Sequence, residues 1–461
     1  MLQTAAAIVS QSVIGPGFRF APQRLPAGEG RCCTAWKNAR DVRFLRFILL
    51  GIALTSCSHP GGAPAFVPAS GTNDSAGHPR ALGYKVLYRF GGGSDGATPE
   101  AALVAFGGKL YGTTFFGGSA GAGTVFALSP SGRERVLYSF TGGTDGGNPY
   151  TSLIPINGVL YGDTTSGGIA KCHYRYYGKG CGTIFSVTTS GKESVLYKFA
   201  GGRDGATPQA GLIEVGGKLY GTTAYGGNPA CYGGCGIVFE VSTSGVQRTV
   251  YAFKGGSDGA YPVASLTYVN GMLYGTTYQG GRRNRGTVFE VSLTGKEHVL
   301  YAFAGGNDGS NPWSNLVAAG NVLEGTTFFG GGGTGCFMHD GCGTVFSVTT
   351  AGVERIIDHF KGSDGGSVQA TLTDANGKWY GAATRGGSDC DADRVYGCGT
   401  LYTLNGSGSI ATAYRFKGGR DGAIPQGNLI LWGGVLYGTT VVGGGSSACN
   451  GGCGTVFALT P

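Results

Sequence analysis

Residues 212–262 read LIEVGGKLYGTTAYGGNPACYGGCGIVFEVSTSGVQRTVYAFKGGSDGAYP. A short apolar run opens this stretch, and the Gly216–Gly217 pair that follows has the preferred chemistry of a two-residue hairpin turn. The runs KLYGTT, GIVFEV and RTVYAF come next, and in them Tyr, Phe and Val alternate with small residues, as in strands packed on both faces. The stretch predicts four short strands, named A to D in chain order, with a variable loop between B and C.

The same pattern recurs seven times along the chain. Each copy closes strand D on a phenylalanine, and these lie 50 to 59 residues apart: Phe90, Phe140, Phe199, Phe253, Phe303, Phe360 and Phe416. Repeated four-strand units near this length are typical of β-propeller blades. The array opens with a lone strand D, Val86 to Phe90, and ends with A, B and C only, from Leu429 to Leu459. The sequence therefore predicts an all-β, seven-bladed propeller over residues 81–461, whose N-terminal strand D completes the last blade and leaves no open edge.

The repeated motif VLYxF-GGxDG-xxP, LYGTT, GG and GTVF resembles the GloVer-type repeat of bacterial surface proteins, which carry varied anchors. The resemblance covers nearly all of residues 84–461. It implies export and anchoring, but it implies no assigned activity. The strand layout is also similar, more weakly, to quinoprotein and kelch propellers.

Composition excludes several other classes of protein. Glycine supplies 93 of 461 residues, which is incompatible with helical bundles because each interior glycine costs a helix about 1 kcal/mol. No strict G-X-Y register exists, so the chain is not a collagen. Aromatic residues at 11% also argue against overall disorder.

The N-terminal region predicts a lipoprotein. Residues 43–57, RFLRFILLGIALTSC, combine two arginines, a short apolar stretch and an ending that resembles a lipobox. We therefore expect signal peptidase to cleave the chain just before Cys57 and Cys57 to receive a lipid. Residues 42–57 are then the signal peptide, and residues 1–41 are a doubtful leader, with Val42 as the expected start of translation. A genuine long leader is the alternative reading, as is an ordinary secretory signal. Residues 58–80, rich in Gly, Pro, Ala and Ser, read as a flexible linker.

Ten cysteines follow Cys57, and they form five local pairs in the B–C loops. In an exported protein this arrangement predicts five disulfides, whereas a zinc site would need four convergent ligands. The expected pairs are Cys172/Cys181, Cys231/Cys235, Cys336/Cys342, Cys390/Cys398 and Cys449/Cys453.

Strand order places the B–C loops and the D–A turns on one face of the propeller, here named the loop face. Variable loops on rigid strands are where binding residues are expected. The candidates for ligand contact are His173, Tyr174, Arg175, Tyr176, Arg282, Arg283, Arg285, Trp313 and Glu324. The residues that enter strand A are expected to ring the channel mouth: Glu100, Tyr150, Gln209, Val263, Trp313, Val368 and Gln426. Aromatic residues with Arg suit sugar stacking or an anionic glycan, and ordinary exposed loop side chains are the alternative.

Carboxylates offer a second interpretation. An Asp recurs in all seven D–A turns. The Asp-Gly pair is typical of a tight turn, whereas a calcium site would need several further oxygen ligands that the motif does not supply. Departures from the repeat include Glu324 in place of a strand B tyrosine, Asp163 in place of a threonine, and Glu214 and Asp374 in strand A, expected near the channel. A polysaccharide hydrolase or lyase would need two or more of Glu214, Glu324, Asp374, His339 and Arg282 in one cleft.

The preferred hypothesis is an exported, lipid-anchored binding or scaffolding module for a glycan or a protein, displayed in the periplasm or at the cell surface. An enzyme acting on extracellular polysaccharide is the alternative. No cofactor and no metal are expected, and a monomer is expected. Residues 1–57 hold seven of the 34 basic and two of the 26 acidic residues, so the remaining chain has a net charge of about +3, which gives no support for a nucleic-acid partner.

Overall fold

The strands form where the repeat predicts them. The computed structural model describes residues 83–461 except 175–177, 334–335, 337–339, 388–389 and 391–396, and it describes the backbone but not the side chains of residues 173 and 174. All described residues belong to one compact unit, Phe66–Pro461. The predicted leader, signal peptide and linker, with Cys57, lie outside the described residues.

Seven antiparallel sheets, numbered here as blades 1 to 7, each contain strands A to D in spatial order. Blade 1 comprises β2 (Val104–Phe106), β3 (Lys109–Thr114), β4 (Thr124–Leu128) and β5 (Glu134–Ser139). Blade 2 comprises β6 (Ile154–Ile156), β7 (Val159–Thr164), β10 (Thr183–Thr188) and β11 (Glu193–Lys198). Blade 3 comprises β13 (Ile213–Val215), β14 (Lys218–Tyr225), β15 (Ile237–Ser242) and β16 (Gln247–Ala252).

The remaining blades repeat this order. Blade 4 comprises β17 (Thr267–Val269), β18 (Met272–Thr277), β19 (Thr287–Ser292) and β20 (Glu297–Ala302). Blade 5 comprises β22 (Val317–Ala319), β23 (Val322–Phe329), β24 (Thr344–Thr349) and β25 (Glu354–His359). Blade 6 comprises β26 (Thr373–Ala375), β27 (Lys378–Ala383), β28 (Thr400–Leu404) and β29 (Ile410–Arg415). Blade 7 comprises β30 (Ile430–Trp432), β31 (Val435–Thr440), β32 (Thr455–Thr460) and, as its outer strand, β1 (Gly83–Arg89).

Several short strands and turns lie outside strands A to D. Strands β12 (Ala206–Pro208) and β21 (Ser310–Pro312) pair with the far ends of β14 and β23, and β8 (His173–Tyr174) pairs with β9 (Gly178–Lys179). The helical elements of the described residues include the single 3-10 turns Gly202–Asp204, Gly306–Asp308 and Gly419–Asp421. Across the described ranges, no helix has the length and apolar character needed to span a membrane.

The first and last strands of the propeller are paired. Strand β1 runs antiparallel to β32, with Gly83 opposite Thr460 and Arg89 opposite Thr455. The backbone N–H of Phe90 extends this ladder to the carbonyl of Gly454 at 3.1 Å. The seven-bladed, all-β prediction is confirmed, and the first and last strands of the propeller lie in one blade.

Aromatic contacts join each blade to the next. Phe199, which closes strand D of blade 2, packs edge-to-face on Phe239 in strand C of blade 3, with ring centroids 5.2 Å apart. The same contact recurs at the other six interfaces, including Phe90 with Phe126 between blades 7 and 1. These rings explain the glycine in LYGTT, because a Cβ on Gly221 would lie 2.7 Å from Cζ of Phe239. The core is therefore continuous around the ring.

The recurring Asp of the D–A turns is structural. Asp204 accepts hydrogen bonds from the backbone N–H of Ala200 and from the hydroxyl of Tyr197, both at 2.6 Å. Five other copies repeat this pair of bonds, and Asp364 accepts the backbone bond alone. The turn thus ties strand D to the connection that follows it.

Candidate functional site

The B–C loops are cross-linked at the five predicted cysteine pairs. Cys172–Cys181, Cys231–Cys235, Cys336–Cys342, Cys390–Cys398 and Cys449–Cys453 are all disulfides, with Cα atoms 4.9 to 5.3 Å apart. In blade 2 the sulfurs pack against the D–A turn, because a Cβ on Gly201 would lie 2.6 Å from Sγ of Cys172. The disulfide therefore supports both connections of the loop face, and disulfides persist in oxidising compartments.

Arg285 takes the place of the disulfide in blade 4. It directly precedes the glycine of strand C, where five other blades have a cysteine, and a Cβ on Gly305 would lie 3.4 Å from its Nε atom. Its side chain thus covers the D–A turn as the sulfurs do elsewhere. Arg282 and Arg283 are exposed, so these two residues supply the cationic character predicted for this loop.

Neighbouring blades are joined at the loop face by a backbone hydrogen bond. Thr207 of blade 3 donates its N–H to the carbonyl of Cys181 in blade 2 at 2.8 Å, and Thr98 of blade 1 donates to Cys453 of blade 7 at the same distance. The donors at all seven interfaces have positive φ angles of 52° to 60°: Thr98, Asn148, Thr207, Tyr261, Asn311, Ser367 and Ile424. A left-handed residue turns the chain sharply, and in each blade this turn comes two positions before the residue that leads toward strand A. The residue at that entry is therefore placed at the axis.

These entry residues line a cavity of about 70 Å³ to which every blade contributes. Its walls include Glu100, Tyr150, Gln209, Val263, Trp313, Gln369 and Gln426. Six of the seven were predicted to ring the channel mouth, but Val368 was the wrong residue in blade 6. Val368 is fully buried and occupies the position of the proline found in the other six copies, so Gln369 takes the ring position.

A polar cluster forms one side of the cavity. The Nε2 atom of Gln426 donates a 2.6 Å hydrogen bond to the hydroxyl of Tyr150 and a 3.4 Å bond to Oε2 of Glu100. Burial raises the pKa of Glu100 to about 8, and the bond from Gln426 opposes that shift. Burial and the neighbouring Glu100 hold the pKa of Tyr150 well above its usual value. Glu100 and Tyr150 are therefore largely neutral at pH 7.

An aromatic wall forms another part of the cavity. Trp313 packs edge-to-face on Tyr278 with centroids 5.1 Å apart, and Phe328 lies 5.8 Å from it at a tilt. Val263 of blade 4 continues this apolar side. Asn315 and Ser265 also line the cavity. The Oδ1 atom of Asn315 accepts a hydrogen bond from the backbone N–H of Ser265, which fixes the orientation of the Asn315 amide. The cavity thus combines a supported indole ring with carboxyl, amide and phenol groups.

Glu214 and Asp374 do not line the cavity. Glu214 accepts the backbone N–H of Gly217 at 2.6 Å, and Asp374 accepts that of Gly377 at 2.8 Å. Both carboxylates are exposed and stabilise the A–B turns, which lie on the face opposite the loop face. Their predicted position near the channel is corrected to this turn role, because strand A is only three residues long and its third predicted position already approaches the turn.

Glu324 is buried in strand β23, with 6% of its surface exposed. Its Oε2 atom has no hydrogen-bond partner, and burial raises the pKa of its carboxyl to about 7. Tyrosine occupies this position in the other six blades. Glu324 is therefore part of the blade packing and is not presented on the loop face.

Asp163 is also buried, and neither of its carboxyl oxygens has a hydrogen-bond partner. Burial raises its pKa to about 8, while the nearby hydroxyl of Thr151 acts in the opposite direction. In blade 3 the equivalent Thr222 donates its hydroxyl to the carbonyl of Pro262 in the next blade. Asp163 thus replaces a structural threonine close to the cavity wall.

The remaining predicted residues lie at the edge of what the structure describes. His173 and Tyr174 form β8, while Arg175, Tyr176 and His339 lie outside the described residues. Within the described ranges, no three His, Cys, Asp or Glu residues are grouped so as to hold a metal ion. Sequence reasoning missed Gln369 and the Gln426–Tyr150 bond; counting back from Leu372, the leucine that precedes strand A in each copy, would have found Gln369.

Residues 172–339 match the family model of the Gloeobacter/Verrucomicrobia repeat, which confirms the predicted GloVer-type repeat. No curated protein matches the chain at a significant level. The chain is similar to several solved structures at low identity. A gluconolactonase from Xanthomonas campestris is 11% identical, with 82% of this chain and 89% of that chain covered and a TM-score of 0.38.

Two further solved structures show similarity of the same order. The PQQ-bound aldose sugar dehydrogenase from Streptomyces coelicolor is 14% identical over 83% of this chain and 99% of that chain, with a TM-score of 0.40. Puromycin hydrolase is 12% identical over 75% of this chain and 50% of that chain, with a TM-score of 0.46. Similarity at this level carries no argument about activity.

Proposed function

We propose that this protein is a binding propeller that takes one sugar unit of a glycan into the axial cavity of its loop face. The observation that carries the proposal is the composition of the cavity, which is lined by both the Trp313 indole and the Glu100–Gln426–Tyr150 cluster. Recognition sites for small molecules combine apolar and aromatic surface with a few placed polar groups. A sugar ring offers the matching surfaces, an apolar face of C–H groups and a rim of hydroxyls.

The size of the cavity supports a single unit as the occupant. About 70 Å³ holds several water molecules, so one end of a sugar ring enters and the rest of a glycan extends toward the loops. Exposed Phe116 and Tyr232 stand on the same face, and Tyr232 is 88% exposed. The exposed Arg282 and Arg283 belong to a B–C loop and are not among the residues lining the cavity, so an anionic glycan has less support than it had from sequence.

Preorganisation also favours binding. Each ring residue lies two positions after a left-handed residue that is hydrogen-bonded to the preceding blade, and five of the adjoining loops are cross-linked. A site that is already ordered loses less conformational entropy when a ligand binds. Rigid scaffolds with variable loops serve recognition in this way.

The alternative, a hydrolase or lyase acting on polysaccharide, has less support. Glycoside hydrolysis commonly uses two carboxyl groups that flank the scissile bond. Among the described residues that line the cavity, Glu100 is the one carboxyl. Glu214 and Asp374 hold turns on the other face, and Glu324 is buried in its blade.

Export and lipidation belong to the same proposal. We infer that Cys57 carries a lipid that anchors the propeller to a membrane, in agreement with five disulfides that need an oxidising compartment. Labelling of the expressed protein with a radioactive fatty acid tests this. Label in the wild type and none in Cys57→Ser is expected, and label that survives the substitution would contradict it.

A glycan-array screen followed by titration of the purified full-length protein tests the binding proposal. Trp313→Ala should lower the affinity for the ligand identified by about tenfold or more, because it removes the aromatic wall. Tyr232→Ala is the matched control, since it removes an exposed aromatic ring of the same face outside the cavity. Equal affinity in both variants, or loss in the Tyr232 variant alone, would place the site elsewhere.

A further inference from the structure

Among the described residues that line the axial cavity, Glu100 is the one that bears a carboxyl group, and none bears a positive charge to match it. Of the sixteen described residues in its wall, none is Lys, Arg or His. A buried carboxylate without a cationic partner is strongly disfavoured and takes up a proton instead. The Glu100 carboxyl is therefore a group that would ionise if a positive charge came close to it.

Protein hydrogen bonds leave Glu100 poorly satisfied. The donor that reaches its carboxyl is Nε2 of Gln426 at 3.4 Å, and this nitrogen already donates a much shorter bond to Tyr150. A hydrogen bond of 3.4 Å between Nε2 of Gln426 and the Glu100 carboxyl is weak. The Glu100 carboxyl thus has acceptor capacity that faces the cavity.

A second acceptor in the wall is also unmatched. The Oε1 atom of Gln369 is buried and has no hydrogen-bond partner. Gln369, Gln426 and Glu100 come from blades 6, 7 and 1, which are consecutive around the ring, and Trp313 of blade 5 adjoins them. One arc of the cavity therefore places the poorly satisfied Glu100 carboxyl and the Gln369 amide beside an indole ring.

We propose that the sugar bound in this cavity carries a protonated primary amine, so that the ligand class is an amino sugar; the inference rests on the proposed function. An ammonium group offers three donors and no acceptor, which suits the Glu100 carboxyl. A cation is attracted to the face of an aromatic ring, and tryptophan attracts it more strongly than tyrosine or phenylalanine does. A carboxylated sugar would bring a carboxylate into a cavity whose described wall holds no cation, and it would be disfavoured.

Binding of such a ligand exchanges protons with the solvent in a defined way. The Glu100 carboxyl loses its proton to water, and the resulting carboxylate pairs with the ammonium, which keeps all three of its protons. A neutral sugar leaves the carboxyl protonated and releases nothing. Proton release on binding therefore distinguishes the two ligand classes independently of affinity.

Calorimetric titration at pH 6.5 in two buffers of different ionisation enthalpy measures both quantities on the full-length protein. The probes are D-glucosamine, N-acetyl-D-glucosamine, D-glucose and D-glucuronate. We expect glucosamine to bind at least tenfold more tightly than the other three and to release close to one proton per ligand. Glu100→Gln, which keeps the size of the side chain, should remove both the preference for glucosamine and the proton release.

Two results would overturn the proposals, and they differ. If glucose or N-acetylglucosamine binds as well as glucosamine, or if glucosamine binds without proton release, the cavity takes a sugar but the amine assignment is wrong. If none of the probes and no glycan on an array binds the wild-type protein, the proposed function itself fails. A thermal melt of the Glu100→Gln variant that matches the wild type shows that its fold is intact.

Discussion

The side chain of Gln426 in blade 7 donates a 2.6 Å hydrogen bond to the hydroxyl of Tyr150 in blade 2, across the entrance of blade 1. These residues are 276 positions apart in the chain, and two blades that are not neighbours in the ring meet through them at the axis. The entry residues of the seven blades line one cavity there, which brings these two side chains within reach of each other. The bond also sets the orientation of the amide that faces Glu100.

The Tyr150 hydroxyl should contribute to ligand affinity without contributing much to stability. In Tyr150→Phe the Gln426 amide loses its acceptor and is free to rotate away from Glu100, so we expect the affinity for the bound sugar to fall about fivefold to tenfold. The thermal midpoint should change little, because the ring and its contact with Phe115 at 6.0 Å remain. Tyr232→Phe is the control, since Tyr232 is 88% exposed. An unchanged affinity in Tyr150→Phe would show that the phenol is a bystander.

Glu324→Tyr should stabilise the protein. The substitution restores the residue found at this position in the other six blades and removes a buried carboxyl whose Oε2 atom has no partner. A gain of about 1–3 kcal/mol in the free energy of unfolding is expected from the relief of an unsatisfied buried group. Chemical denaturation measures it. The reverse change in blade 4, Tyr274→Glu, should destabilise by a comparable amount, and a Glu324→Tyr variant less stable than the wild type would show that blade 5 has no room for the ring.

Stability should fall as the pH rises from about 5 to 8. Burial, followed by the nearby Asp258, raises the pKa of Glu297 to about 8, and the same causes, with Asp308, raise that of Glu354 to about 7. A carboxyl whose pKa is higher in the folded protein binds more protons there than in the unfolded chain. Its stabilising protonation is complete below the unfolded pKa of about 4.5 and is lost as the pH passes the folded value.

A single variant isolates this effect at the interface of blades 3 and 4. Glu297 lies near Asp258, which accepts the hydroxyl of Tyr251, whereas the equivalent position in blade 3 is Gln247. Glu297→Gln should raise the thermal midpoint at pH 8 and leave it nearly unchanged at pH 5. The measurement is a series of melts across this range, and Glu214→Gln, on an exposed turn, is the control. A gain that is equal at both pH values would contradict the titration of Glu297.

Removal of one disulfide should loosen the loop face more than the fold. The Cys231–Cys235 bridge closes a short loop, so its loss in the double variant Cys231→Ala, Cys235→Ala should cost about 2 kcal/mol. Hydrogen exchange should become faster in the adjoining turn around Gly255, which packs against both sulfurs. The B–C loop of blade 4 has no cysteine and serves as the internal reference, and equal exchange rates around Gly255 with and without the bridge would refute its supporting role.

Much of this architecture could be predicted from the sequence because its signals are local and repeated. Strand order and disulfide pairing follow from spacing within one copy of the repeat, and the number of blades follows from the number of copies. Residues Val86 to Phe90 match strand D but are not preceded by strands A to C. The ring position in blade 6 was missed because Val368 replaces the proline that marks the register elsewhere. The Gln426–Tyr150 bond could not be found, since it depends on the distance across the axis and on the length of two side chains.

The interpretation of the carboxylates failed for a related reason. Glu214 and Asp374 share a position in strand A, but the sequence does not say whether a carboxylate there faces the axis or folds back on its own turn. Glu100 was recognised as a ring residue, yet its isolation from any cation is a property of all seven blades together. Side chains that meet across a repeat are therefore the part that needs the structure.

The most direct test of the account is a crystal structure of the protein with glucosamine bound. The account predicts one sugar at the axis on the loop face, with its ring against Trp313 and its amine next to Glu100 and Gln369. Ligand density on the face of the A–B turns, or at Arg282 and Arg283 with the axial cavity holding water alone, would contradict it.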